Sequence, residues 1–264
     1  MSEALVHIGT HKTGTTAFQE WADRHQDALL ARSGIALYDG LYGPSHYELT
    51  LLCLRPNRTM RQRWRVPESV LDEWRDSVRD HIAGQVALPA DKLLISAESL
   101  SFLRYEDEVA ILRDLLTPRA IQVAVCLRDP TAFLESYRYE MERRDIPPSR
   151  FAASHNYVEP DTWLTDWDGM LSVWRDVLGE DRVTVFSYEE QMARHRSSIP
   201  GVLEALSIDD TDLPSWTGVT ANTRAQFERS FGSKITRTLA RIPAVARNRT
   251  RSVDRGGVGP MADR

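Results

Sequence analysis

The segment from His7 to Thr16 (HIGTHKTGTT) most constrains the fold, because it joins an apolar run to a helix-forming run through a turn bracketed by glycines. The apolar run, residues 4–8, suits a buried strand, and a helix is predicted to begin near Thr15. The first N–H groups of a helix have no partner within it, and the helix dipole makes that end positive. The segment therefore predicts a strand, a loop and a helix that together bind a phosphate-like anion.

The position of the lysine in this loop argues against an ordinary ATP site. In the common loop for nucleoside triphosphates, the Lys follows the second Gly and reaches the β- and γ-phosphates. Gly9 and Gly14 have the spacing of that loop, but Lys12 lies between them and Thr15 follows Gly14. A P-loop small-molecule kinase, which would also need carboxylates to hold Mg²⁺, is therefore a secondary interpretation.

A second candidate anion site follows the apolar run of residues 121–127, which is predicted to be another buried strand. Arg128, Asp129 and Pro130 come next, and Asp129 can cap and Pro130 can open a helix. Ser136 lies seven residues beyond Asp129, about two helical turns, so both residues can lie on one face. Arg128 and Ser136 are therefore predicted to grip one phosphate.

The loop HKTGTT, the Arg-Asp-Pro sequence at residue 128 and the Ser eight residues after that Arg together resemble a known enzyme family. They are similar to the P-loop-type sulfotransferases, including bacterial ones, that use 3′-phosphoadenosine 5′-phosphosulfate (PAPS). The resemblance runs from about residue 4 to Tyr188 and includes a late strand, residues 182–187, followed by Tyr-Glu. It implies PAPS as co-substrate, 3′-phosphoadenosine 5′-phosphate (PAP) as product, and no required metal.

The resemblance also implies roles for individual residues. Arg128 and Ser136 would hold the 3′-phosphate that distinguishes PAPS from ATP. The 5′-phosphosulfate would be held by the residues of the first loop and helix start: His11, Lys12, Thr13, Gly14, Thr15 and Thr16. The Arg-Lys-Gly sequence that many family members carry in a late loop is absent from this chain.

Three residues are candidates for catalysis. Sulfuryl transfer builds negative charge on the leaving phosphate oxygen, and Lys12 is predicted to stabilise that charge. An acceptor hydroxyl also needs a base. Glu98 follows the strand predicted at residues 92–96 and His46 follows the one at residues 34–38, so either can reach the ligand edge of the sheet. A capping role for Glu98 and a packing role for His46 remain alternatives.

Strand and helix signals alternate along the chain, which predicts an α/β fold with a central parallel sheet flanked by helices on both faces. Strands are predicted at residues 4–8, 34–38, 92–96, 121–127 and 182–187. Helices are predicted at residues 15–32, 46–54, 67–86, 105–116 and 164–178 and from residue 131 onward. Residues 145–163 are predicted to be a long loop that shapes the acceptor site, with residues 41–45 and 102–105. Residues 1–245 are predicted to be a single sulfotransferase domain, and residues 246–264 a flexible Arg/Gly-rich tail.

The composition of the chain argues against several functional classes. The 264 residues are 42% hydrophobic and carry a formal net charge of −5, which suits one enzyme domain and argues against general nucleic-acid binding. No apolar run approaches the length of about 20 residues that spans a membrane, and no signal peptide is evident, so a cytoplasmic location is expected. Cys53 and Cys126 suggest neither a disulfide framework nor a metal site.

The acceptor is expected to be a small molecule or a saccharide-like molecule that presents a hydroxyl or, less readily, an amine. A non-catalytic nucleotide-binding scaffold is a further alternative. Such a protein could keep the two glycines of the loop and lose Lys12 or Arg128, but both are present in this chain. The sequence does not specify the oligomeric state.

Overall fold

Five apolar segments form one parallel sheet in a computed structural model, which describes residues 2–58, 60 and 66–217. The strands are β1 (Glu3–Gly9), β2 (Ile35–Leu37), β3 (Lys92–Ser96), β4 (Ala120–Leu127) and β5 (Val183–Ser187). Their order across the sheet is β2-β3-β1-β4-β5, and every neighbouring pair is parallel. The predicted α/β class and parallel sheet are confirmed.

Helices connect the strands of the sheet. They are α1 (Thr15–Arg24), α2 (Gln26–Ser33), α3 (Tyr47–Cys53), α4 (Leu71–Val86), α5 (Glu106–Leu116), α6 (Pro130–Arg143), α7 (Trp167–Leu178), α8 (Tyr188–His195) and α9 (Ile199–Ala205). Short 3₁₀ segments lie at Glu68–Val70, Glu98–Phe102, Trp163–Thr165 and Glu180–Arg182.

The alternation of side chains along β1 shows why both faces of the sheet are covered. Val6 points into one apolar cluster, which includes side chains of α3, α4, α5 and α7. Leu5 points into a second cluster, formed with side chains of α1, α2 and α9. Because successive residues of a strand face opposite sides, a central strand that is buried throughout must have helices on both faces.

The helix predicted over residues 15–32 is wrong as a single element. The backbone leaves the helical region at His25, with φ −115° and ψ 19°, and this residue separates α1 from α2. The bend places Leu29 in the same apolar cluster as Phe18 and Trp21. Packing of that cluster accounts for the break, which the helical spacing of apolar residues did not reveal.

Other boundaries differ less. The turns before α4 and α7 are 3₁₀ segments, so these helices start later than predicted, and α8 and α9 were not predicted. Residues 146–162 contain no helix or strand, as expected for the long loop. The predicted domain boundary at residue 245 and the predicted tail at residues 246–264 lie outside the described residues.

The strand order places the two candidate anion sites side by side. The chain leaves β1 towards β2 on one side of the sheet and leaves β4 towards β5 on the other. In open parallel sheets, a crevice forms where adjacent strands send their connections in opposite directions, beyond the carboxyl ends of the strands. The crevice between β1 and β4 is therefore the expected ligand site.

Candidate active site

The loop after β1 is held in shape by its own threonines. The Thr13 hydroxyl donates to the Thr10 carbonyl oxygen at 2.6 Å. The backbone N–H and the hydroxyl of Thr10 both donate to the Cys126 carbonyl oxygen, at 3.2 and 3.0 Å. These bonds fix the loop to the end of β4, so its backbone geometry is set before any ligand arrives.

Two residues of the loop adopt left-handed backbone conformations: Lys12 with φ 70° and Gly14 with φ 83°. Gly14 is the N-cap of α1 and makes no side-chain capping hydrogen bond. The first N–H groups of α1 are thus directed at the loop, where an anion would meet them and the positive end of the helix dipole.

Gly9 occupies a position where no side chain fits. A Cβ atom at Gly9 would overlap Thr15 Oγ1 and would lie 2.9 Å from Thr13 Oγ1. Gly9→Ala is therefore expected to lower stability by about 1–3 kcal/mol, as other overpacked sites do, with a lower Tm in thermal denaturation.

A matched control for this substitution is Gly84→Ala in α4, where an added Cβ has no atom within 4 Å. This change should be neutral or stabilising by up to about 1 kcal/mol, because Ala favours a helix over Gly. Adding Thr15→Ala to Gly9→Ala should restore part of the lost stability. A Gly9→Ala variant with the wild-type Tm would contradict the predicted overlap.

Thr15 Oγ1 and Arg128 Nε are among the polar atoms of the site that are buried without a hydrogen bond to any described residue. Thr15 begins α1, and Arg128 follows β4, so the two atoms come from the two elements that flank the crevice. A buried polar atom that lacks a hydrogen bond is costly. An anion with several acceptor oxygens would relieve both costs.

Arg128 connects the end of β4 to the loop after β1. Its Nη1 donates to the Lys12 carbonyl oxygen at 3.2 Å, and its Nε lies 3.9 Å from Glu189 Oε1. Its guanidinium lies over the Tyr188 ring, 5.2 Å from the centroid. The Arg128 side chain is thus held between the loop after β1 and the start of α8.

Helix α6 begins as the sequence predicts. The Asp129 side chain accepts a hydrogen bond from the Ala132 N–H at 2.9 Å, and Pro130 is the first helical residue. Ser136 is half-buried in this helix, and its hydroxyl makes no hydrogen bond to the described part of the chain. The cap fixes where the helix leaves the sheet edge beside Arg128.

Lys12 and Glu140 form an ion pair across the crevice. Lys12 Nζ lies 3.3 Å from Oε2 of Glu140, which is on α6 four residues after Ser136. Burial by itself would raise the pKa of Glu140, but hydrogen bonds from Arg143 and Arg144 and the charge of Lys12 outweigh it and lower the pKa to about 2. Glu140 is therefore an anion at any working pH. It was not among the predicted site residues, although its helical spacing from Ser136 was a usable signal.

His11 turns towards Glu98. Its Nε2 lies 3.8 Å from Glu98 Oε1, and its ring stacks on Phe102 with centroids 4.9 Å apart. The edge of the ring meets Tyr137 of α6 at 5.2 Å. Burial lowers the pKa of His11, an effect that the nearby Glu98 charge opposes and that Arg144 and Lys12 reinforce. The structure thus brings Glu98 next to the residue that precedes Lys12.

His46, the other candidate base, is buried and is the N-cap of α3, in a left-handed conformation with φ 46°. Its Nδ1 accepts a hydrogen bond from the Ser96 N–H at 3.3 Å, and its ring meets that of Tyr38 edge-on at 4.9 Å. Ser96 Oγ lies 2.9 Å from Nδ1 of His7. These contacts join His46 to Ser96 at the carboxyl end of β3 and, through Ser96, to His7 of β1.

A cleft of about 840 Å³ adjoins Arg128. Gln191 lines it, and Oε1 of Gln191 is buried without a hydrogen bond partner among the described residues. The cleft is lined by the ends of β4 and β5 and by α8 and α9, including Arg128, Asp129, Phe186, Glu189, Gln191 and Gly201. It offers a space for a ligand that extends from the loop past Arg128.

Two further observations concern the described ranges. No group of three or more His, Cys, Asp or Glu side chains there is arranged to hold a metal ion. Among the same residues, no helix has both the length and the apolar character needed to cross a membrane.

The chain is similar to solved structures of other proteins. The chain matches a sulfotransferase from Alicyclobacillus acidocaldarius with a TM-score of 0.51 and 12% identity, over 91% of this chain and 95% of that one. Mouse sulfotransferase SULT7A1 complexed with PAP matches with a TM-score of 0.41 and 14% identity, over 95% and 89% of the two chains. A structure from the PezAT chromosomal toxin-antitoxin system of Streptococcus pneumoniae matches with a TM-score of 0.36 and 13% identity, over 90% and 88%.

No protein-family model matches the sequence, and no curated protein matches it significantly. The likeness to the Alicyclobacillus enzyme extends over nearly the whole of both chains, and at this identity it is a likeness of fold. The parallel sheet and the helices that cover it agree with it. The chain has a sulfotransferase-like α/β fold.

Proposed function

We propose that the protein is a PAPS-dependent sulfotransferase that transfers a sulfuryl group to a hydroxyl, less readily an amine, of a small-molecule or saccharide-like acceptor. One observation carries the proposal. Lys12, which lies inside the loop, and Arg128, which follows β4, meet at the crevice, with Arg128 Nη1 3.2 Å from the Lys12 carbonyl oxygen. A donor with a phosphosulfate at one end and a 3′-phosphate at the other would need a cation near each end.

The residues of the crevice fit the two anionic groups of the donor. In the proposal, the 5′-phosphosulfate binds the start of α1, where Thr15 Oγ1 is buried without a partner among the described residues. The 3′-phosphate binds Arg128 and Ser136, and the adjoining cleft receives the nucleoside. The remaining contacts to the 5′-phosphosulfate come from His11, Lys12, Thr13, Gly14 and Thr16.

The proposed reaction exchanges one sulfur–oxygen bond for another. The acceptor oxygen bonds to sulfur while the bond from sulfur to the 5′-phosphate oxygen breaks, and PAP leaves with the negative charge. The Lys12 ammonium stabilises the charge on the leaving oxygen, as fixed positive groups do in phosphoryl transfer. Glu98 accepts the proton of the acceptor hydroxyl, and its place beside His11 supports this role over that of His46.

Calorimetric titration with PAP, ATP and AMP, each with and without Mg²⁺, tests the donor class. PAP and AMP differ only in the 3′-phosphate, so the ratio of their Kd values measures the contribution of the Arg128 site. We expect PAP to bind without metal and more tightly than AMP by at least about 30-fold, which corresponds to one desolvated charged contact of about 2 kcal/mol.

Two other results would select the alternatives. Tighter binding of ATP with Mg²⁺ than of PAP would favour a small-molecule kinase, in spite of the Thr that occupies the position after Gly14. The absence of binding by all three nucleotides would indicate a scaffold that no longer binds nucleotides. Either result would overturn the proposed function.

A further inference from the structure

Glu140 accepts hydrogen bonds from three cationic side chains at once. Its Oε2 receives Lys12 Nζ at 3.3 Å and Arg143 Nε at 3.2 Å, and its Oε1 receives Arg143 Nη2 at 2.7 Å and Arg144 Nε at 2.5 Å. Arg143 is the last residue of α6 and Arg144 is its C-cap, so both are local to Glu140, whereas Lys12 comes from a loop far away in the sequence. The Lys12 contact is thus the one that ties α6 to the anion-binding loop.

We propose that Glu140 is a positioning residue for Lys12. Glu140 holds the Lys12 ammonium while the donor site is empty, and Lys12 moves to the donor anion when the donor binds. The inference rests on the proposed function, because it concerns the residue that acts on the donor there. Glu140 acts through Lys12, and no contact of Glu140 with the donor is needed.

The backbone of Lys12 supports this role. A residue other than Gly costs about 1–3 kcal/mol in a left-handed conformation and keeps it only where its surroundings determine it. Lys12 has φ 70° and is held at both ends, its carbonyl oxygen by Arg128 and its ammonium by Glu140. Arg128, which follows β4, and Glu140 of α6 therefore fix the backbone and the side chain of Lys12 before the donor arrives.

The distribution of charge makes the release feasible. Three positive charges share one carboxylate, so the cluster attracts a further anion. The Glu140 side chain is 14% exposed, and a carboxylate this buried would be costly without a partner. Arg143 and Arg144 remain bonded to it when Lys12 leaves, so its charge stays compensated. The exchange then replaces one partner of Lys12 by another without leaving a charge unpaired.

Removing the Glu140 carboxylate should therefore strengthen binding of the donor. In Glu140→Gln, Lys12 no longer has to leave an ionic partner, and we expect PAP to bind about three- to ten-fold more tightly than to the wild type. Glu142→Gln is the matched control. It removes the same charge from the exposed face of the same helix, where Glu142 forms no ion pair with a described side chain, and should change the Kd much less.

A double-mutant cycle separates the effect of the Lys12–Glu140 contact on PAP binding from the general effect of removing a negative charge. PAP is titrated calorimetrically into wild type, Glu140→Gln, Lys12→Met and the double variant, and each protein is checked by its Tm. The gain caused by Glu140→Gln should disappear when Lys12 is already Met, because the coupling belongs to the pair. Glu140→Asp, which keeps the charge, should restore a Kd close to that of the wild type.

The outcomes distinguish the inference from the function on which it rests. Equal Kd changes in Glu140→Gln and Glu142→Gln, or a gain that persists in the Lys12→Met background, would overturn the positioning role alone. A weaker Kd in Glu140→Gln would do the same. A wild-type protein that binds no PAP would overturn both the role and the proposed function.

Discussion

Replacing Lys12 by Ala is expected to lower the turnover of PAPS by at least about 100- to 1,000-fold, the loss seen when one preorganised donor to a developing charge is removed. The reason is the chemistry of the leaving oxygen, which gains negative charge as sulfur departs and has Lys12 as its cationic partner in the proposed reaction. Turnover is measured as PAP released from PAPS in the presence of an acceptor found by screening. The Kd of PAP, which keeps the 5′-phosphate oxygen that Lys12 would contact, should rise by about ten-fold or less, in line with the three- to ten-fold gain expected for Glu140→Gln.

Lys92→Ala provides the control for this experiment. Lys92 begins β3 at the amino edge of the sheet and lies 3.9 Å from Glu3, so the same substitution there should leave turnover unchanged. Both variants should keep the Tm of the wild type within a few degrees. A Lys12→Ala enzyme with normal kcat would rule out the assigned role.

Replacing Arg128 by Ala should act on donor binding. A partly buried cation that contacts an anion contributes about 2–5 kcal/mol, so the Kd of PAP is expected to rise at least about 30-fold. The Kd of AMP, which lacks the 3′-phosphate, should rise much less. Parallel titrations of the variant with PAP and AMP measure this difference directly.

Arg175→Ala is a suitable control, because Arg175 forms a comparable pair with Glu180 at 3.2 Å at the far end of α7. That variant should bind PAP as the wild type does. If Arg128→Ala weakened PAP and AMP equally, Arg128 would be a structural residue of the loop and not the partner of the 3′-phosphate.

Most of the fold followed from local sequence. The apolar runs at residues 4–8 and 121–127 are long enough, and uniform enough, to predict buried parallel strands, and both are strands of the sheet. The break at His25 did not follow, because it depends on how Trp21 and Leu29 share one apolar cluster. Helical spacing is the same on both sides of the break and gives no sign of it.

The candidate site was predictable in its backbone and less so in its side chains. Gly9 and Gly14 fixed the loop, and the cap at Asp129 fixed the start of α6. The pairing of Lys12 with Glu140 and the packing of His11 on Phe102 depend on the assembled sheet and on rotamers, which no local pattern encodes. The predicted roles of Glu98, His46 and Ser136 remain predictions.

The attachment of the loop to Cys126 has a consequence for folding. Gly9 lies opposite Cys126 in the register of β1 and β4, and the Thr10 hydroxyl donates to the Cys126 carbonyl oxygen. The loop after β1 and the segment after β4, which are the two halves of the site, therefore adjoin only after these strands have paired. An unfolded chain holds the halves more than a hundred residues apart and has no such site. A ligand that binds only the folded state stabilises it by mass action. Donor binding would thus stabilise the pairing of β1 and β4 at the centre of the sheet. The fraction of molecules in which these strands are separated would then fall as the concentration of PAPS rises.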